Sequence, residues 1–339
     1  MLSKRVLVLI SCLAGVAGLG VSSIGAAPAR AETAASSSAP AELEELRLAA
    51  GQGDATAQFD LGVMYANGRG VARNDGEAVR YFRLAAEQGH AAAQSYLGFM
   101  YAEGRGVAQN DGEAARYTRL AADQGDVDAQ YALSEMYAEG RGVAQNFGEA
   151  VRYLRLAADQ GDVYAQRVLG DIYENGRGVA QNGGEAVRYY RLAADQGNAE
   201  AQDHLGWMYA EGIVGVAQND GEAVRYYRLA AEQGHMWAQY NLAGMYVDGR
   251  GVAQNDGEAA RYYRLAAEQG VADAQGKLAG MYEDGRGVVQ SDSEAYFWLS
   301  LAASKRPDYT DDRDLAGSRL NPTEIANVQA RVAAWKAKK

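Results

Sequence analysis

Few residues in this 339-residue chain are of the types that carry catalysis or hold metal ions. There is one cysteine, Cys12, and three histidines, His90, His204 and His235. That inventory excludes a disulfide scaffold, a zinc finger and a cysteine–histidine nucleophile pair. The histidines lie far apart along the chain, so the sequence offers no metal site. It shows no Gly-x-Ser-x-Gly elbow, phosphate loop or nucleotide fingerprint, and therefore no cofactor and no catalytic residue. Gly-Arg-Gly triplets around Arg69, Arg105, Arg141, Arg177, Arg250 and Arg286 have the chemistry to bind phosphate or carboxylate. Repeated so often in an acidic chain, they read as structural ion pairs. Asn-Asp-Gly-Glu looks like part of a calcium loop but lacks the alternating aspartates such a loop requires. It reads as a helix cap, and the acidic run Asp308, Asp311, Asp312, Asp314 as a solvated loop. What remains is adhesive chemistry. Tyr131, Tyr164, Arg167, Trp207, Trp237 and Tyr240 are of the types that dominate binding hot spots.

The elements that must position those side chains are legible from a repeat. Leu61-Gly62-Val63-Met64-Tyr65 returns as Leu97-Gly98-Phe99-Met100-Tyr101, and the leucine recurs at 61, 97, 133, 169, 205, 242 and 278. The period is 36, with one extra residue near Ile213-Val214. Seven repeats fill residues 54–306. Each carries two amphipathic segments, helix A (Asp126–Glu139, for example) and helix B (Asp111–Gln124). Glycines such as Gly104 and Gly125 sit where a left-handed C-terminal stop is needed. Asn110 with Glu113 fits an Asn-x-x-Glu capping box, repeated at Asn74, Asn146, Asn182, Asn219 and Asn255. Composition agrees: glycine is abundant, 41 residues, while the 4 prolines all lie outside 54–306, because proline breaks helix interiors. Helices this short are marginal alone and must be covered by their neighbours. The predicted fold is all-α: a right-handed αα-superhelical solenoid of seven 36-residue helix-turn-helix repeats with terminal capping helices. Gly62, Gly98, Ser134, Gly170, Gly206, Ala243 and Ala279 form a column of small residues where helix A should approach helix B closely.

Comparison between repeats separates packing from the rest. The tyrosine at 65, 101, 137, 173, 209, 246 and 282 never changes and reads as packing. Four columns of helix A vary, spaced i, i+3, i+4, i+7, and so share one helix face. In repeats 3–6 that face carries Tyr131, Tyr164, Arg167, Trp207, Trp237 and Tyr240, the expected partner-binding residues.

The ends carry other signals. Lys4 and Arg5, an apolar stretch from Val6 to Gly25 and Ala29-Arg30-Ala31 make residues 1–31 a secretory signal peptide. Cys12 lies in a poor lipoprotein box, so lipidation is not expected. Residues 32–40 form a Ser/Ala-rich linker and 41–53 an N-terminal half-repeat capping helix. Residues 307–339 supply a loop and a last capping helix, started by Asn321 and Pro322. Cleavage after Ala31 removes three basic residues and no acidic one, taking the formal charge from −11 to −14. That charge disfavours nucleic acid and anionic membrane as partners.

The repeat unit, Ala-x-x-x-Leu-Gly-x-Met-Tyr-x-x-Gly-Arg-Gly-Val followed by Glu-Ala-x-Arg-Tyr-Tyr-Arg-Leu-Ala-Ala-Glu-Gln-Gly, resembles the Sel-one-like repeat, a relative of the tetratricopeptide repeat. Ala295–Ala303 and Leu320–Ile325 resemble the segment that closes bacterial members. Three departures stand out. Ala72, Ala108 and Ala144 replace a common proline, Tyr81, Tyr117 and Tyr153 replace a common tryptophan, and the cysteine pair of some secreted members is missing. The resemblance implies a non-enzymatic protein–protein interaction scaffold, with the variable face of helix A lining a concave groove. With the leader, the expectation is a periplasmic or secreted adaptor or regulator of the bacterial cell envelope, binding a peptide or protein. Stacking of groove aromatics on cell-wall glycan or peptidoglycan is the alternative, and a weak hydrolase the remote one.

Overall fold

A computed structural model describes residues 43–213 and 215–337. The expected signal peptide and linker lie outside the described residues. Within the described residues the chain is helical without strands. It divides into two compact units, meeting at Gln160 and Gly161 in the sequence. The first holds a helix over 43–51 and the helix A–helix B pairs of repeats 1–3, from Ala55–Asn67 to Phe147–Asp159. The second holds the pairs of repeats 4–7, from Val163–Asn175 to Asp292–Ala303, then Thr310–Ser318 and Pro322–Ala337. Within each unit the helices of successive repeats pack consecutively on one another, as an αα solenoid requires.

Each helix starts and stops where a local signal puts it. Helix B begins at an asparagine whose side chain accepts from the third N–H of the helix, as Asn110 does from Glu113 at 3.1 Å. The reciprocal half of the capping box is not formed there. The Glu113 carboxylate turns instead to Arg116, one turn on, at 2.8 Å. The full reciprocal box appears once the arginine is absent: Asn321 caps Pro322–Ala337 and its own N–H donates to Glu324 at 2.9 Å. Helix A is capped by Asp54, Asp126, Asp162 or Asn198, and in two repeats by histidine. His90 and His235 accept from Ala93 and Ala238 through Nδ1. Two of the three histidines are thus helix caps in the aspartate column.

The small-residue column works by contact. A Cβ built on Gly170 would lie 2.5 Å from the ring of Tyr190, which is fully buried beneath it. The second glycine of the Gly-Arg-Gly loop does a related job between repeats. Gly142 has a left-handed φ of 69°, and a Cβ there would lie 1.9 Å from the carbonyl oxygen of Asp111, at the start of the preceding helix B. Neighbouring arginines serve the same junction, as Arg105 pairs with Asp75 at 3.0 Å and Arg250 with Asp220 at 2.8 Å. In repeats 1–6 the invariant tyrosine stacks on a helix B tyrosine, Tyr101 on Tyr117 with centroids 5.8 Å apart, under the guanidinium of Arg116.

A chain of buried amides runs through this packing. Gln94 and Gln130 are buried on the apolar face of helix A. Each donates to a carbonyl of the preceding helix B, Ala86 at 3.0 Å and Ala122 at 3.1 Å. Each accepts from the glutamine ending its own repeat's helix B, Gln124 at 2.6 Å and Gln160 at 2.9 Å. The second unit repeats the pattern with Gln202 and Gln239. At the C-terminal end Trp335 packs edge-on against Phe297 and Trp298, covering the last repeat.

Two stability outcomes follow. Gln130→Leu keeps the volume but removes two hydrogen bonds, the one its amide gives to the Ala122 carbonyl and the one it accepts from Gln160, and is expected to cost about 1–3 kcal/mol, read as a lower urea midpoint at unchanged slope. Gly170→Leu drives a side chain into Tyr190 and is expected to cost about 2–3 kcal/mol, read as a lower melting temperature. A variant that melts with the parent would remove Gly170 from the helix-crossing contact.

Candidate functional site

In the first unit the variable columns of helix A include rings that pack on one another. Phe59 stacks on His90 with centroids 4.8 Å apart and meets Tyr96 edge-on at 5.5 Å. Tyr131, the one expected binding residue in this unit, is partly buried, and its carbonyl accepts from Ser134 at 2.6 Å.

The second unit is different. Tyr164, Trp207 and Trp237 are 39%, 41% and 48% exposed. Tyr240 is half-buried, with the Trp237 ring edge-on to it at 6.2 Å and the Tyr263 ring tilted against it at 5.6 Å. Arg167 is not presented to solvent as a free cation. It is held by Asp171 at 2.5 Å and, from the next repeat, by Glu200 at 3.1 Å. The face continues with a polar strip. Asp203 accepts from Asn241 at 3.5 Å, and its carboxylate lies 3.7 Å from His235. Burial pushes the Asp203 carboxyl above its ordinary value, against the pull of His235 and His204.

One cluster on this strip joins two repeats. Asp171 and Glu174 sit one turn apart on helix A of repeat 4, and His204 faces them from helix A of repeat 5. His204 Nδ1 is 3.5 Å from Glu174 Oε2, and its Nε2 is 3.9 Å from Asp171 Oδ1. The imidazole stacks on the Tyr190 ring, centroids 5.0 Å apart, while the Tyr190 hydroxyl reaches both carboxylates at 2.6 Å. Burial pushes the Tyr190 phenol far up, and the Asp171 charge pushes it further. Burial works to raise Glu174 as well, but hydrogen bonds from His204 and Tyr190 outweigh it and hold the carboxyl below its usual value. For His204 burial works downward, and the Glu174 hydrogen bond with the surrounding carboxylates carries it upward. Asp171, Glu174 and His204 are the group among the described residues whose donor atoms converge enough to hold a metal ion. The spacing along the chain hides this, since it appears only when adjacent helices A are laid side by side.

Beyond it, repeats 5–7 enclose a cleft of about 320 Å³, walled by Tyr227, Tyr240 and Tyr263 and rimmed by Arg250, Lys277 and Arg286. Gly244 and Gly280 in the fourth variable column leave it open: a Cβ on Gly244 would come no nearer than 3.8 Å to another group, and one on Gly280 would meet nothing within 4 Å. No helix among the described residues is long and apolar enough to cross a membrane.

Comparison with known proteins accounts for this architecture. The Sel1 repeat matches seven times, at residues 55–90, 91–126, 127–162, 163–198, 199–235, 238–271 and 272–306. Among solved structures, a Sel1 repeat protein from Oxalobacter formigenes is 35% identical, covering 81% of this chain and 78% of that one with a TM-score of 0.63. A protective antigen present in uropathogenic Escherichia coli strains, displaying an SLR fold, is 31% identical over 86% of this chain and 71% of its own, with a TM-score of 0.55. No curated protein matches the chain. Sel1-repeat proteins generally mediate protein–protein interaction and are typically non-enzymatic. With seven matches spanning most of its length, the chain belongs to the Sel1 repeat family.

Proposed function

We propose that the chain is a non-enzymatic binding scaffold of the bacterial cell envelope, taking a peptide or protein partner on the variable face of helix A. The observation that carries this reading is the open aromatic set of repeats 4–6. In repeats 1–6 the fixed tyrosine of helix A is engaged in stacking within the fold, as Tyr173 on Tyr189 and Tyr246 on Tyr262. Tyr164, Trp207 and Trp237 instead stand well exposed on one helix face. Exposed tryptophan beside built polar groups is the composition of an interface centre rather than of random surface. Tyr240 and the cleft beside it, whose charged lining mixes Arg250, Lys277 and Arg286 with Glu211 and Asp248, provide depth for an anchoring side chain. Arg167 contributes by fixing Asp171 and Glu200 in place, and Tyr131 belongs to a face of the first unit that is more fully packed. The envelope location rests on the leader read from residues 1–31.

The test uses the chain without its leader, wild type and with Tyr164→Ser, Trp207→Ser and Trp237→Ser combined. Tyr240 is left intact because Tyr263 packs on it. The variant is expected to keep its helical circular dichroism and melting temperature, and to recover its partner from an envelope extract at least tenfold less well. Undiminished recovery would overturn the assignment of this face. Co-sedimentation with isolated peptidoglycan, lost in the same variant, would transfer the face to a glycan ligand.

A further inference from the structure

The cluster of Asp171, Glu174 and His204 is not needed by the fold. The fourth variable column reads Val63, Phe99, Glu135, Asp171, Trp207, Gly244, Gly280, and the third reads Asp60, Tyr96, Ala132, Val168, His204, Asn241, Lys277. Glu174 stands where repeats 1–3, 5 and 6 carry Ala66, Ala102, Ala138, Ala210 and Val247, and repeat 7 carries Glu283. Among the described residues, the combination of a histidine with two converging carboxylates belongs to this one junction.

Their chemistry is that of a transition-metal ligand set. One imidazole and two carboxylates are the mixed nitrogen–oxygen donors that zinc accepts, and the imidazole disfavours magnesium and calcium. One donor atom from each lies within 4.8 Å of the others. A tetrahedral zinc ion with bonds of about 2.0–2.1 Å needs donors roughly 3.3 Å apart. The 3.5 Å between His204 Nδ1 and Glu174 Oε2 already matches that edge. The Tyr190 hydroxyl, 2.6 Å from both carboxylates and 3.4 Å from His204 Nδ1, lies among the three donors and ties them together. Two features beyond the donors support occupancy. Arg167 grips the second oxygen of Asp171, Oδ2, which leaves Oδ1 aimed at the cluster. Tyr190 and the stacked His204 ring hold each other in orientation, and helix A supplies Asp171 and Glu174 from a rigid element.

We propose that Asp171, Glu174 and His204 form a binding site for a single zinc-class divalent ion at the junction of repeats 4 and 5. Trp207, one helical turn from His204, places a fluorescent reporter beside the site.

The experiment titrates zinc chloride into the untagged chain without its leader, followed by calorimetry and tryptophan fluorescence. One ion per chain is expected, with a dissociation constant of about 10 μM or tighter, a fluorescence change reversed by a chelator, and a raised melting temperature. Magnesium and calcium at millimolar concentration are expected to produce none of these. His204→Ala and Glu174→Gln are each expected to weaken binding at least tenfold while keeping the circular dichroism of the parent. Glu174→Gln preserves shape, so it separates a lost ligand from a lost fold. His235→Asn, which retains a capping side chain, is expected to bind zinc as the parent does. Absence of binding overturns the proposal, and so does binding that survives His204→Ala or vanishes with His235→Asn. Because the probe is the metal alone, the result stands apart from partner recovery.

Discussion

Each helix A carries a glutamine on a face that is otherwise apolar, and that amide sets the spacing on which the rest of the stack depends. Apolar faces tolerate sliding, since hydrophobic burial is non-directional. A buried amide does not, because its donor and acceptor must both be met. Gln94 reaches back to Ala86 of the preceding repeat and receives Gln124 of its own, so one directional bond sets the register between repeats and the other sets that of the two helices within a repeat. The Gly-Arg-Gly loop fixes the same distance from another edge, because Gly142 lies against the Asp111 carbonyl where any side chain would collide. The chain of amides ends where the repeats end. Lys305 occupies the position of the next terminal glutamine and points its ammonium at the Gly270 carbonyl, and Gln275 Oε1 is left without a hydrogen-bond partner.

Periodicity made the helices, their caps and their glycine stops readable, because each is a local event written within a few residues. The amide chain was equally constant in letters. A pattern search scores apolar positions, and Gln58, Gln94 and Gln130 look like polar interruptions until their partners are seen to come from other helices. The capping box misread has a similar cause. Asn110 and Glu113 are the right letters, but Arg116 lies one turn beyond and competes for the carboxylate. A local motif was present while a stronger charge-assisted neighbour redirected half of it.

The face assigned to binding was legible as a face, and less so as a set of residues. Variation between repeats marked out one face of helix A, since fixed columns are those that packing has claimed. What each variable residue does depended on the neighbouring repeat. Arg167 looked like a cation for a partner, yet Asp171 and Glu200 hold it. His204 looked isolated, yet the adjacent helix brings it onto two carboxylates and a tyrosine. His90 and His235, chemically identical letters, are spent on helix caps.

The two units show what this division of labour permits. In the first, Phe59 and Tyr96 occupy the variable columns with rings that meet each other and pack on Phe82 of helix B. In the second the same positions carry Asp171, Asp203, His204 and Asn241, and a buried carboxylate such as Asp203 works against folding unless its neighbours compensate. A single-core domain would lose much of its stability to such a strip. Here the amide chain, the glycine contacts and the tyrosine stacks lie in other columns, so each repeat keeps its own packing whatever the variable face contains. The solenoid therefore holds polar and aromatic groups in fixed relative positions without drawing on them for stability. That is the physical condition under which Trp207, Trp237 and the cluster around His204 are free to be shaped by a ligand.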